Sequence, residues 1–374
     1  MAQQPNADLS VTAERLAAWN TPERRRASFR SLHLIHRRGL SFRAAVVREL
    51  EPAPDPAVAA TPGLRDLTEN PAFSGLAVVR DGRILFERYA PDFGPEGLHS
   101  IQSITKTFVH LALGRLIAAG LADPSQLIGC YVPEAGAAYA GASLQDALDM
   151  AIASNFTDDY QAPYFPPPAK GEPVGYARQE IAMGWRLPPP GEHEFGVRDF
   201  AAGLVPAPGH VAGQDTLYAS PNTDMLGWVI ERASGRKLAE HVGDIIEAAG
   251  LAGSFHISAD CQGVPVLSGG GVMTARDLAR YGLLLGRSSA FLADAMSGAG
   301  TCYGGASNLR YRNHLLSNGT WIGHPGYAGQ FLMVDPARQA AAAFFSVLET
   351  PHGDQDGYFA AVIAVIERLM AAVR

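Results

Sequence analysis

The sequence predicts an α+β protein: an antiparallel sheet flanked by helices, built from strands near both ends of the chain, with an inserted and mainly helical lobe. Three observations predict it. Two strand-like runs, residues 76–79 and 84–87, flank Asp81-Gly82, the dipeptide that most favours a tight hairpin. Apolar alternation returns only late, in residues 308–317, 320–323, 330–334 and 340–347. Between these stretches, helical and proline-rich segments run to about Gly250. Strands at both ends with helices between them are the pattern of a helical insertion on an antiparallel sheet.

The chain has 374 residues, 47% hydrophobic and 18% charged, enough for a substantial core, which excludes disorder as the main state. Thirty basic residues against 37 acidic ones leave a formal net charge of −7, so no nucleic-acid partner is expected. Cys130, Cys261 and Cys302 are an odd number without Cys-x-x-Cys spacing, which argues against a disulfide framework or a zinc cluster. The eleven histidines are scattered and His-Glu-x-x-His is absent, so neither a metal nor a cofactor is expected. Residues 1–20 carry Asp8 and Glu14 and lack the basic start and apolar run of a signal peptide. No stretch reaches about 18 consecutive apolar residues. The expectation is a soluble, cytoplasmic protein that does not engage a membrane; oligomeric state is not legible.

In chain order, Asn20-Thr21-Pro22-Glu23 reads as a helix start, with a capping side chain and then proline in the first turn. Residues 24–48 are arginine-rich and interleaved with Phe29, Leu32 and Ile35, a solvated helix face rather than a phosphate or membrane patch given the acidic whole. Four prolines within 51–63 mark a linker or extended wrap. After Gly94 an apolar stripe of Phe108, Leu111, Leu116 and Ile117 defines a helix from near Ser103 to Gly120. Residues 358–373 close the chain as an amphipathic helix. Residues 1–63 are therefore expected to pack as a helical and extended segment on the catalytic unit, 64–98 and 255–374 to form the α/β lobe, and 99–254 the helical lobe.

Only Lys106, Lys170 and Lys237 are lysines; the other 27 basic residues are arginines. One of the three stands in Ser103-Ile104-Thr105-Lys106, at the head of that helix. A serine hydroxyl becomes a nucleophile when a neighbouring base takes its proton, and residues three apart on a helix face the same way. Lysine serves as that base only when neutral, about 0.04% of the time at pH 7 at its reference pKa, so the site must bury the amine or place a cation beside it. The same four residues also fit a surface helix start capped by serine. A second Ser-x-x-Lys, Ser234 to Lys237, sits where Gly235 ends a helix and offers nothing apolar to bury an amine.

Tyr218-Ala219-Ser220 precedes another helix opening, and a phenol beside the lysine could relay protons, with Ser220 pointing to the same side. It could equally be a buried tyrosine before a capping serine. His324-Pro325-Gly326-Tyr327 follows a strand-like run and could supply an oxyanion donor, with Gly326 allowing close approach of substrate. A glycine-rich hairpin corner is the other reading.

Ser103-x-x-Lys106, then Tyr218-x-Ser220 and then His324-x-Gly326, each about a hundred residues on, resemble the penicillin-recognising serine hydrolases: beta-lactamases, DD-peptidases and related esterases. Tyr218-Ala-Ser220-Pro-Asn-Thr-Asp-x-Leu-Gly-Trp and Asp158-Asp159-Tyr160 look most like the 6-aminohexanoate-dimer (nylon-oligomer) hydrolases and their carboxylesterase relatives, and Gly269–Leu278 is similar to a common family segment. The likeness extends from about Asn20 to the C-terminus.

The resemblance implies a beta-lactamase/DD-peptidase-like fold and a serine hydrolase that works through an acyl-enzyme. Ser103 would be the nucleophile, Lys106 and Tyr218 would share general base and acid duty, and the backbone NH groups of Ser103 and Tyr327 would form the oxyanion hole. Tyr160, Ser220, His324 and Gly326 would contact substrate. His324 stands where beta-lactamases usually carry lysine, and Ser220 where they carry asparagine; losing a permanent cation weakens the carboxylate recognition that a beta-lactam or peptide terminus needs. The expected substrate is therefore a small carboxylic ester or a linear amide such as 6-aminohexanoate dimer. Beta-lactamase or DD-peptidase activity, or a non-catalytic binder or sensor on the same fold, is the alternative.

Other hydrolase and nucleotide signatures are missing. Gly-x-Ser-x-Gly, a Walker loop and a dinucleotide fingerprint do not occur, and Ser288-Ser289 lacks the glycine-rich surroundings of the serine-serine-lysine amidases.

Overall fold

The computed structural model describes residues 13–157, 171–214, 217–303 and 308–373. Its strands are β1 (Gly39–Phe42), β2 (Glu51–Pro52), β3 (Phe73–Arg80), β4 (Arg83–Tyr89), β5 (His99–Ser100), β6 (Phe255–Ser258) and β7 (Gly271–Met273). They continue with β8 (Thr301–Cys302), β9 (Arg310–Arg312), β10 (Leu315–Ser317), β11 (Ile322–Pro325), β12 (Phe331–Asp335) and β13 (Ala340–Ser346).

The main sheet runs β2-β4-β3-β13-β12-β11-β10-β9-β8. The β3–β4 hairpin turns through Asp81 and Gly82, whose φ angles of 47° and 78° are the paired left-handed conformations of a type I′ turn. Asn313 and His314, at 53° and 60°, turn β9 into β10 in the same way. The late strands then meander antiparallel to β13, which pairs with β3.

Two features depart from the expected single antiparallel sheet. β2 pairs with β4 in parallel, and four strands form a second sheet, β1-β6-β7-β5. Such short strands leave no periodic signature.

β13 does not alternate: it is buried at every position and packed by the helices Ala275–Leu285 and Tyr358–Ala372. A strand covered on both faces reads as a continuous apolar run. Its alanines let the first helix approach so closely that a Cβ on Gly282 would come within 2.8 Å of the Ala341 methyl.

From Ile101 to the helix Leu238–Ala249, the described residues hold helices, turns and isolated bridges. No helix among the described residues is long and apolar enough to cross a membrane.

The helix Pro22–Ile35 begins at the predicted proline, but Thr21 makes no capping hydrogen bond. The arginines that follow correct the expectation of a solvated face. Arg25 is fully buried and donates to the carbonyls of Leu348 and Thr350 and to Asn20 Oδ1 (2.5, 2.7 and 2.7 Å). Arg26 pairs with Glu349 and Arg30 with Asp92. Arg25 and Arg26 thus stitch the N-terminal helix to residues 348–351, and Arg30 ties it to Asp92.

His99, His110, His314 and His324 are all buried, and burial pushes their pKa values down to about 3, or about 4 for His110. Below pH 6.5 the unfolded chain takes up protons that these folded imidazoles refuse, so their contribution to stability is lost as pH falls toward 3. Asp224, raised to about 7 by burial, acts with the opposite sign over the same window. With four histidines against it, the urea midpoint at pH 4.5 is expected below that at pH 7.5; a higher midpoint at pH 4.5 would show that the buried carboxyls win.

Candidate active site

Ser103 and Lys106 lie together on a 3₁₀ turn, Gln102–Lys106, that precedes the α-helix Thr107–Ala118. The sequence suggested an α-helical start. A 3₁₀ turn has three residues per turn, so it places i and i+3 in line rather than merely on one face, and Lys106 Nζ sits 2.9 Å from Ser103 Oγ. The turn is entered through Gln102, whose φ of 44° is left-handed. That is a costly conformation for a non-glycine residue and one found where surrounding structure over-determines it. Here Gln102 is pinned by its Nε2–H to Ser100 Oγ (2.7 Å), and its carbonyl accepts the Thr105 hydroxyl (2.7 Å).

Lys106 is fully buried. Its amine also donates to the Ser268 carbonyl and lies 5.2 Å from the centroid of the Tyr218 ring. Desolvation of this kind favours the neutral amine. Tyr218 is braced by the rings of Tyr303, Tyr311 and His324, with centroids 6.0–6.2 Å away.

Ser103, Tyr218, Ser220, Ser268 and Tyr327 line one cleft of about 600 Å³, of the size of small-molecule sites. The other Ser-x-x-Lys takes no part: Ser234 Oγ donates to the Ile230 carbonyl at 2.7 Å and Lys237 is exposed.

Two expected substrate contacts are corrected. His324 is fully buried and does not line the cleft. Its Nδ1 lies 2.6 Å from the Pro325 carbonyl, which requires a donor there, so Nε2 accepts the Tyr311 hydroxyl at 3.0 Å. Burial first, then the charge of Lys106, pushes its pKa down to about 3. It is a neutral brace behind Tyr218. Gly326 is likewise buried: a Cβ there would come 2.9 Å from the Ile101 carbonyl and 2.7 Å from Gln330 Oε1. Its role is to let the β11–β12 turn touch the backbone that leads into Gln102, not to admit substrate. Tyr160 lies outside the described residues.

The sequence reading missed much of the cleft wall. Arg186 lines it and donates through Nε and Nη2 to Glu180 Oε2 (2.9 and 2.7 Å), while Trp19 Nε1 donates to Oε1 of the same buried carboxylate at 2.9 Å. Asn20 donates to Tyr327 Oη (3.3 Å), and residues 351–354 close the rim. None belongs to a local motif. Ser268 alone had a signal, as the residue before the glycine run that opens at Gly269.

Among the described residues no group of three or more His, Cys, Asp or Glu side chains could hold a metal ion. The arrangement is suited to covalent catalysis: a hydroxyl at a cleft floor, an amine within hydrogen-bond reach, and a phenol beside the amine.

The family described as Beta-lactamase matches residues 64–365. A 6-aminohexanoate-dimer hydrolase from Paenarthrobacter ureafaciens is 31% identical over 230 residues, 60% of this chain and 54% of that protein. The match thus spans about half the length of that relative. Among solved structures, a Bacillus anthracis protein described as a candidate 6-aminohexanoate-dimer hydrolase superposes with a TM-score of 0.79 at 18% identity, covering 99% of this chain and 97% of the other. A penicillin-binding protein homologue from Caulobacter crescentus superposes with a TM-score of 0.61 at 17% identity, over 86% and 98% of the two chains.

Proposed function

The chain belongs to the beta-lactamase family of hydrolases, and on that premise we propose that it cleaves small carboxylic esters and linear amides of the 6-aminohexanoate-dimer kind through an acyl-Ser103 intermediate. One observation carries the reading: a fully buried amine, Lys106 Nζ, stands 2.9 Å from a cleft-lining hydroxyl, Ser103 Oγ.

In the proposed sequence neutral Lys106 takes the Ser103 proton as Oγ bonds to the substrate carbonyl carbon. The oxyanion that forms is met by the backbone NH groups of Ser103 and Tyr327, each donor of this type being worth about 3–4 kcal/mol in the transition state. Tyr218, beside the amine, passes the proton to the departing alkoxide or amine. Water then attacks the acyl carbon with the same groups in reverse roles, and Ser103 is restored.

A linear ester or amide is favoured over a beta-lactam by the state of His324. At the position where a beta-lactam carboxylate would need a permanent cation, this chain carries a buried, neutral imidazole. The expected result of a substrate panel is turnover of p-nitrophenyl acetate and 6-aminohexanoate dimer, with nitrocefin at least about 100-fold poorer in kcat/KM, as loss of roughly one charge-assisted contact would give. Preferential hydrolysis of nitrocefin would overturn the substrate class. A stable ester adduct without turnover would overturn the enzyme reading in favour of a sensor.

A further inference from the structure

Tyr327, the proposed second oxyanion donor, sits in a strained turn. The Gly329 N–H closes that turn on the Gly326 carbonyl at 3.2 Å. Its third residue, Ala328, has a φ of 63°, a left-handed angle that turns normally give to glycine. A non-glycine residue keeps such an angle where surrounding structure over-determines it. Here the Ala328 carbonyl accepts the Leu348 N–H, from outside the turn, at 2.8 Å. The Tyr327 side chain is held as well. Asn20 donates Nδ2–H to its hydroxyl at 3.3 Å, and Gly353 packs so closely that a Cβ there would come within 2.6 Å of the ring.

These supports converge on Arg25. Its guanidinium is fully buried and lies 5.4 Å from the centroid of the Tyr327 ring. Nη1 donates to the carbonyls of Leu348 and Thr350 at 2.5 and 2.7 Å, and Nε donates to Asn20 Oδ1 at 2.7 Å. Nη2 reaches the carbonyls of Asn20 and Pro351 at 2.9 and 3.4 Å. All five guanidinium hydrogens are thereby taken up by oxygens, and two of the residues gripped, Leu348 and Asn20, are the ones that hold Ala328 and the Tyr327 hydroxyl. Arg25 itself does not line the cleft. It also lies outside residues 64–365, which carry the family match.

We propose that Arg25 is a positioning residue for the oxyanion hole. From the helix Pro22–Ile35 it clamps Leu348 and Asn20, and these fix Ala328 and the Tyr327 ring, so that the Tyr327 backbone N–H keeps its place at the cleft. The inference rests on the reading of Tyr327 as an oxyanion donor, but part of its test does not require turnover.

Arg25→Lys keeps the charge but offers three donors from a single nitrogen instead of a planar fork. In protein labelled with ¹⁵N at its twelve tyrosines, the amide signal lost in Tyr327→Phe is that of Tyr327. In Arg25→Lys this signal is expected to move by more than its line width. The kcat for p-nitrophenyl acetate should fall about 10- to 100-fold, part of what outright loss of an oxyanion donor costs, with KM changed less than about threefold. A general loosening of the fold would not produce that split, nor would it depend on residue 328. Glycine adopts the left-handed angle without strain, so in an Ala328→Gly background the same Arg25→Lys change should lower kcat by less than about threefold. A Tyr327 amide that stays in place, or an equal loss of kcat in both backgrounds, overturns the proposal.

If circular dichroism shows that Arg25→Lys does not fold, Asn20→Ala serves instead. It removes the donor to the Tyr327 hydroxyl and the acceptor of Arg25 Nε, so the Tyr327 amide and kcat should move in the same direction by less, and an unmoved signal is again fatal. Absence of ester turnover in the parent would sink the hydrolase reading while leaving the amide signal to decide whether Arg25 positions Tyr327.

Discussion

Ser103→Ala is expected to lower p-nitrophenyl ester turnover by about 10⁴- to 10⁶-fold, the range seen when a serine nucleophile is removed and only binding and oxyanion stabilisation remain. The same change should abolish the mass increment that a slow ester or phosphonate leaves on the parent. Ser103 lines the cleft and is only partly buried, so the denaturation midpoint should move little. That combination separates loss of a nucleophile from loss of the fold. A variant that keeps more than about a tenth of parental turnover would remove Ser103 from the chemistry.

Lys106→Met carries the second large effect. Loss of the general base is expected to lower kcat about 10²- to 10⁴-fold, with KM changed far less because the amine lies beneath the cleft floor rather than against bound substrate. Stability should not fall with activity. Methionine fills the volume of a side chain that is fully buried and removes the desolvation cost that a buried amine carries. Urea denaturation of Lys106→Met beside the parent checks this: a midpoint well below the parent would mean that the amine holds the fold and is not carried for chemistry. In the parent, activity should decline toward acid pH as Lys106 protonates. His314 and His324, neutral down to about pH 3, do not supply that limb, and full activity at pH 5 would count against a neutral-lysine base.

What was legible in the sequence is what is encoded locally. The Asp81-Gly82 turn needs two left-handed residues in a row and announces itself. The strands after residue 308 were read from short-range pattern, although β13 turned out to be a continuous buried run whose identity comes from the two helices on it. The serine, lysine and tyrosine motifs were visible because each is a few residues long, and their order and spacing tied them to one family. The parts that escaped are made by tertiary contact. Arg25 looks like any surface arginine until residues 348–351 close over it. His324 looks like a cation in a binding motif until its two nitrogens are seen to be taken by Pro325 and Tyr311. Arg186 and Ser268 reach the cleft from separate segments with no shared local signature.

The pairing of β3 with β13 has a consequence for biosynthesis. Leu76 faces Phe344 across the centre of the main sheet, so the β3–β4 hairpin leaves the ribosome long before its partner strand exists. At about 5–20 residues per second, the intervening stretch occupies the ribosome for on the order of 10–60 s. During that interval β3, whose residues 73–79 are buried on folding, presents an unpaired edge of the kind that recruits other strands. Topologies dominated by such distant pairings fold slowly. The nascent chain is therefore exposed to aggregation for most of its synthesis, and its yield in a cell is set by how well that edge is shielded until the last strands arrive.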